Sequence, residues 1–242
     1  MPDTRSHRGP HPEDARLFAE DELPRLRRAT ADYSWLLSRG YPETSALKLV
    51  GDRYRLTARQ RVAVARVACS DQQAVRRREH EVYAGQTAGA TLWLDGYNVL
   101  TTVEAALAGA VVLAGRDGTY RDMASMHGSY RKVAETRPAL ELIGRTCAEL
   151  GIRRCTWFLD RPVSNSGRLR TILLDVAAQR GWPWDAELVN DPDPLLCEAD
   201  SIVATADSVI LDHCQWWYNL ARETIRRFVP EARVVDLVPG FV

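Results

Sequence analysis

From Glu13 onward, apolar residues in the first third of the chain recur at helical spacing. Leu17, Phe18, Leu23 and Leu26 begin the series, and Ala31 to Leu37 continue an apolar face carrying Tyr33 and Trp35. Gly40 stops this helix. Pro42, at a first turn, opens a short helix through Leu47, Leu49 and Val50 that Gly51 closes, and Thr57 is a good N-cap for one bearing Val62, Val64, Ala65, Val67 and Ala68. Residues 1–12 are polar, with Pro2, Gly9, Pro10 and Pro12, and are expected to form a mobile tail. The pattern predicts a small all-helical domain over 13–88.

The period changes after Gly85-Gln86-Thr87-Ala88-Gly89, a small and flexible stretch that marks the domain junction. Thr91 to Leu94 is a short β-type run ending at Asp95-Gly96. Further strands are predicted at 111–113, 155–159, 186–189, 201–205 and 233–237, with helices over 139–150, 167–179 and 215–228. Strand and helix alternating in this way predict a parallel α/β sheet over 89–242.

Composition adds little until it is divided. The 242 residues hold 32 basic and 32 acidic side chains, a formal charge of zero. The first 90 residues carry 16 basic and 12 acidic side chains and the remainder 16 and 20, so a positive helical part offsets a negative α/β part. Only Lys48 and Lys132 are lysines; so lopsided a ratio reads as the codon bias of a GC-rich genome rather than as nucleic-acid binding. The five cysteines are scattered, without metal-ligand spacing, as expected for reduced thiols. With no signal-like or membrane-length apolar run, a cytoplasmic protein is expected, with no membrane partner.

Ligands of an open parallel sheet gather at the carboxyl ends of its strands. Asp95, Asp160, Asp193 (with Asp191) and Asp207 each follow a predicted strand, and Asp212 lies five residues beyond Asp207. Residues 185–212 contain eight acids and no Lys or Arg. Asp185, Glu187, Glu198 and Asp200 read as solvent-facing. For the strand-end acids, whose mutual repulsion needs a counter-charge, a hard divalent ion with oxygen ligands, Mg²⁺ or Mn²⁺, is the better account.

LWLDGYNVL at 92–100 resembles the first strand of the PIN/NYN nuclease superfamily, an apolar strand ending Asp-x-x-Asn. SIVATADSVILD at 201–212 resembles the late strand of the same superfamily. With RDGTYRDMASMHGSYR (116–131) and DRPVSNSGRL (160–169), the whole chain is similar to an uncharacterised prokaryotic family with a PIN-like C-terminal domain. The resemblance implies a three-layer parallel-sheet α/β domain, with Asp95, Asp207 and Asp212 holding metal and Asn98 orienting a ligand or the scissile phosphate. Asp193 is the middle metal-binding acid, although Asp191-Pro192-Asp193-Pro194 leaves little room for a helix before the late strand. Asp160 completes the catalytic set with Asp95, Asn98, Asp207 and Asp212.

The expected reaction is metal-dependent hydrolysis of phosphodiester bonds, in RNA, with water attacking in line at phosphorus. Arg116, Arg121, Arg131 and Arg168 are the nearest candidates to hold phosphates, and Ser164-Asn165-Ser166-Gly167 could present N–H groups to an anion at a helix start. His127 is a further candidate for substrate contact or proton transfer. Each has a structural alternative, in ion pairing or helix capping. The two short helices before and after Thr57 resemble a helix-turn-helix offering Arg59, Arg61 and Arg66, and equally a solvated helix face. Arg76 to Arg78 form the densest basic cluster. Trp216, Trp217 and Tyr218 are placed on an amphipathic helix, where core packing is favoured over base stacking. The alternatives to a nuclease are a non-catalytic RNA- or partner-binding module and a phosphoryl-transfer enzyme for small substrates; a second copy of the chain is the other expected partner.

Overall fold

The computed structural model describes residues 9–123, 130 and 132–238. Helices α1 (Asp14–Leu17), α2 (Leu23–Ser38), α3 (Glu43–Arg53), α4 (Ala58–Val67) and α5 (Asp71–Glu79) come first. There follow β1 (Thr91–Asp95), α6 (Gly96–Leu107), β2 (Val112–Ala114), β3 (Tyr120–Asp122), α7 (Thr136–Glu149), β4 (Arg154–Asp160), α8 (Ser166–Arg180) and β5 (Trp184–Val189). The rest is α9 (Asp193–Cys197), β6 (Ile202–Ala204), α10 (Ser208–His213), β7 (Trp217–Tyr218), α11 (Leu220–Phe228) and β8 (Val234–Asp236). Thr57 and Ser70 each start a helix with a reciprocal capping box, exchanging hydrogen bonds with Gln60 and Gln73.

Five strands form one parallel sheet in the order β5-β4-β1-β6-β7. Period-two alternation divides its faces. Leu92, Leu94, Trp157, Leu159 and Ala204 pack beneath α6, α7, α8 and α11, while Phe158, Val203 and Trp217 pack against α9 and α10. The chain leaves β1 toward one face through α6 and leaves its neighbour β6 toward the other through α10. A crevice therefore opens beyond the carboxyl ends of these two strands, where ligands of doubly wound sheets bind.

The parallel α/β sheet expected over 89–242 is present, but two of its predicted strands lie elsewhere. The runs at 111–113 and 233–237 form β2 and β8 of a separate sheet, ordered β3-β2-β8, in which β3 is antiparallel to β2. Its residues Val111, Leu113, Met123, Val235 and Leu237 complete the core of the N-terminal helices, packing with Leu26, Tyr33, Val64 and Val67. Arg27 Nε also donates to the Asp236 carbonyl (3.1 Å) and Arg233 Nη2 to the Asp14 carbonyl (2.9 Å). The helical part thus shares its core with strands from beyond the junction, because the helices alone supply too little apolar surface to close it.

The predicted helix over 215–228 begins later than expected. Trp217 and Tyr218 form β7, whose backbone pairs with β6, and Trp217 N–H donates to the His80 carbonyl (3.1 Å). Trp217 is fully buried, with its indole N–H on the Arg77 carbonyl (2.6 Å); Trp216 is exposed and stacks on His80. Neither the aromatic run nor the helix it was assigned to forms a base-stacking face.

The central polar contact between the two parts is buried. Arg77, on α5, donates from Nη1 to Asp117 (2.7 Å) and from Nε to Asp212 (2.7 Å). Asp117 also accepts both Nη groups of Arg121 (3.0 and 2.6 Å), whose Nε holds the Ala206 carbonyl (2.8 Å). Burial raises the Asp117 carboxyl, but Arg121 and Arg77 outweigh it and hold the group well below the usual range. Its contribution to stability is complete above the unfolded pKa of about 4 and is lost as pH falls through the depressed folded value. Removing one partner strands a buried charge, so Arg77→Met should cost about 3–5 kcal/mol in urea unfolding at pH 7; a loss below 1 kcal/mol would contradict the role assigned to this pair. Leu113→Ala should lower stability by about 2–5 kcal/mol and loosen the N-terminal helices as well, seen as faster amide exchange in α2 and α4.

Candidate active site

The crevice begins at Asp95-Gly96. Asp95 ends β1, and a side chain on Gly96 would place its Cβ 2.7 Å from the Phe158 carbonyl and 2.5 Å from a Leu159 methyl. Glycine therefore lets α6 start directly above β4 and carry Asn98 over the crevice. Asp95 Oδ2 accepts from the Thr205 hydroxyl (2.8 Å), and Asn98 Oδ1 accepts from the Ala206 N–H (2.8 Å). Thr205 Oγ1 in turn accepts from the Asp207 N–H (2.9 Å), and Asp207 Oδ1 caps α10 by accepting from Val209 and Ile210. The end of β1 is thus laced to the end of β6.

Asp160 ends β4, and Asp193 opens α9 after β5, so four strands deliver acids to one rim. The helix that the two prolines seemed to preclude does form: Pro192 caps α9, a first-turn position where a missing N–H costs nothing. Burial, then the charges of Asp207, Asp193 and Asp160, push the Asp95 carboxyl up to about 7 against the opposing Thr205 hydrogen bond. Asp193 is also raised, by burial first and then by Asp207, Asp191 and Asp160, and Asp160 by burial and Asp191. Among the described residues, no cation contributes to these three shifts.

Asp212 departs from the expectation. Arg77 Nε and Gln73 Nε2 (both 2.7 Å) hold its carboxylate, and Arg76 Nε holds its carbonyl, so one turn of α10 directs it to α5 and away from the rim. Arg76 and Arg77 are consequently anchors of the fold rather than surface contacts. Arg116 is turned the same way, donating to the Cys69 carbonyl (2.8 Å) and pairing with Asp71.

A cavity of about 460 Å³ lies over the crevice. Asp95, Asp193 and Asp207 line it, together with Arg66, Tyr97, Arg121 and Asp122. Arg121 reaches it as expected, but its donors are committed to Asp117 and Ala206. The 164–167 turn lies at the end of β4 outside this cavity. Asn165 takes the left-handed conformation (φ 68°) and donates to the Tyr130 carbonyl (3.0 Å), Ser166 Oγ donates to the Arg161 carbonyl (3.3 Å), and Ser164 and Arg168 are exposed. The Asn165 and Ser166 side chains thus bond within the local connection. His127 and Arg131 lie outside the described residues.

The helix-turn-helix reading also fails on its arginines. Arg59 is paired with buried Asp14, Arg61 with Asp52 and two carbonyls, and Arg66 with Asp122. Arg66 and Tyr97 are cavity residues that sequence reasoning missed in that role. Tyr97 had a visible signal, its place inside Asp95-Gly96-Tyr97-Asn98; Arg66 had none, since only the shared core brings α4 to the crevice.

Among the described residues, no three His, Cys, Asp or Glu side chains stand close enough to hold an ion together. Mg²⁺, however, keeps several waters and uses one or two carboxylates. Asp95 Oδ1 and Asp207 Oδ2 take no protein hydrogen bond among the described residues, and their all-oxygen chemistry suits such a hydrated ion. No described helix is long and apolar enough to cross a membrane.

The family described as "Domain of unknown function (DUF5616)" matches residues 84–223, and "Protein of unknown function (DUF434)" matches residues 25–80. A relative from Methanocaldococcus jannaschii, "Uncharacterized protein MJ0935", is 27% identical over 202 residues, covering 83% of this chain and 96% of that protein. No solved structure matches the chain. The 84–223 match takes in the whole five-stranded sheet and all four rim acids and spans more than half the sequence, and on that ground the chain belongs to the DUF5616 family.

Proposed function

We propose that the crevice between β1 and β6 hydrolyses phosphodiester bonds of RNA with Mg²⁺ or Mn²⁺, as a PIN/NYN-like nuclease. The observation that carries this reading is Asp95, fixed by Thr205 at the end of β1, where the strand order reverses, and pushed up to about 7 by burial first and then by the charges of Asp207, Asp193 and Asp160. A site selected only for stability would have neutralised this charge, as Asp117 and Asp212 are neutralised a few residues away.

Asp95 and Asp207 would hold the ion, with Asp193 and Asp160 acting through its waters. A bound divalent cation supplies a polarised phosphate and a water of lowered pKa. The chain's own residues keep that place open. Thr205 fixes the Asp95 carboxylate, Asn98 fixes the strand end at Ala206, and Asp207 is held by the helix it caps. The 460 Å³ cavity, lined by Asp95, Asp193 and Asp207, suits an anionic substrate approaching through a cation.

Purified protein should cleave single-stranded RNA with Mn²⁺ or Mg²⁺, and Asp95→Asn or Asp207→Asn should reduce cleavage at least about 100-fold with the fold intact. Retained cleavage in both variants contradicts the site; tight RNA binding without cleavage under any divalent ion favours a binding module instead. A second outcome needs no substrate. Because the folded pKa of Asp95 lies above its unfolded value, its contribution to stability in EDTA is fully present below about pH 4 and is lost as pH rises through 7. Asp95→Asn should therefore melt a few degrees above wild type at pH 8 in EDTA, and the order should reverse with millimolar Mn²⁺.

A further inference from the structure

A second cavity, of about 430 Å³, is lined by Glu81, Tyr83, Tyr218, Asn219, Arg222 and Arg226 among others, and shares no lining residue with the crevice. We propose that it binds a nucleotide, with the base stacked on Tyr83 and the phosphate held by Arg226. The proposal does not rest on the nuclease reading.

The segments that line this cavity are fixed by the fold. The Val82 N–H donates to the Trp217 carbonyl (2.8 Å) and the Tyr83 N–H to Gln86 Oε1 (3.0 Å), so the edge of β7 and a single 3₁₀ turn, Ala84–Gln86, hold the backbone on which Tyr83 stands. At the start of α11, Asn219 Nδ2 (2.9 Å) and Arg222 Nη1 (3.0 Å) both donate to the Gly118 carbonyl. The volume is that of a small-ligand site, and segments already ordered spare a ligand the cost of ordering them.

On this frame two side chains are left open. Tyr83 is 58% exposed, and its ring stacks on no other ring and under no guanidinium among the described residues. An aromatic ring presented on a fixed backbone is a stacking platform, usable by any base because every base has a π-face. Arg226 is exposed and takes no hydrogen bond, ion pair or ring contact among the described residues. The acids of the cavity already have cations. Glu223 accepts from Arg227 Nε (2.6 Å), and Glu81, whose carboxyl burial and the charge of Asp117 push up, is opposed by Arg222, Asn219 and Arg78. Arg226 is thus the lining cation with no acid assigned to it, and Arg222 adds a second positive charge one helical turn away. An open ring and an uncommitted guanidinium in one cavity match the two parts of a nucleotide, a planar base and a phosphate. Tyr218 pairs with Ala204, and Ala204 with Leu94, so the cavity starts two strand spacings, about 10 Å, from the end of β1. A free mononucleotide and a unit of an RNA strand both carry the chemistry that this site takes.

The test titrates the full-length protein in EDTA with each of the four nucleoside 5′-monophosphates by calorimetry, and with a single-stranded RNA hexamer labelled at its 3′ end by anisotropy over a range of salt. At least one of these ligands should bind. Tyr83→Ala should weaken that binding about tenfold or more, and Tyr83→Phe should leave it unchanged because the ring is kept. Arg226→Gln should weaken it several-fold and, for the hexamer, reduce the slope of log affinity against log salt by about 1, which Arg226→Lys restores. Both positions are exposed, so the variants should melt at the wild-type temperature. Binding of a monophosphate identifies a free nucleotide and binding of the hexamer alone a unit of RNA; either sustains the site. Absence of binding by all five ligands, or wild-type affinity in Tyr83→Ala or in Arg226→Gln, would overturn it. A protein that cleaves RNA but fails these tests keeps the crevice reading and loses this site, whereas one that passes them without cleaving does the reverse.

Discussion

Asp117 sits between two arginines remote from each other in sequence, and the rest of the architecture depends on that contact. Arg77 comes from the N-terminal helices and Arg121 from the small sheet, and both close on one buried carboxylate. Either guanidinium buried alone would be prohibitive, so the helices and the sheets must meet in one register. The consequences reach the crevice directly. Arg121 also grips the Ala206 carbonyl, whose N–H is held by Asn98, and Arg77 also grips Asp212 and the Ser208 carbonyl at α10. The ends of β6 and α10 are thereby fixed from behind.

Two treatments of acidic charge lie side by side in this arrangement. Behind the rim, Asp117 and Asp212 are matched by arginine. On the rim, burial raises Asp95, Asp160 and Asp193, and neighbouring acids add to it. Asp207, Asp193 and Asp160 act on Asp95, Asp207, Asp191 and Asp160 on Asp193, and Asp191 on Asp160, with no compensating cation among the described residues. Structural acids are inexpensive to neutralise in a chain with thirty arginines, and the fold does so wherever a guanidinium reaches. On the proposed nuclease reading, that contrast is the reason the rim would be reserved for a cation the chain does not itself provide.

Much of this was legible in the sequence, and the misses share a cause. The strands through Asp95, Asp160 and Thr205 could be read from apolar runs, because central parallel strands are buried on both faces. Asp95, Asp160, Asp193 and Asp207 could then be assigned to one rim from position, and Asn98 from the resemblance carried by LWLDGYNVL. Asp212 could not be placed correctly, since its distance from Asp207 in sequence is compatible with either face of a six-residue helix and only Arg77, 135 residues away, selects one. The strands β2 and β8 are as apolar as those of the main sheet, yet they serve the helical core. Arg66 looked like a surface residue of a DNA-reading helix for the same reason. Trp217 was assigned to a helix because its backbone partner, His80, is remote in sequence. Local pattern identifies elements; long-range pairing decides which core or site each one serves.

Calorimetric titration of Mn²⁺ into the metal-free protein at pH 6.5, repeated in buffers of different ionisation enthalpy, tests most directly whether the rim is reserved for a cation. The account predicts saturable binding accompanied by release of a substantial fraction of one proton, as Asp95 ionises, with both heat and proton release lost in Asp95→Asn. Binding that releases no proton, or that persists unchanged in Asp95→Asn, would contradict it.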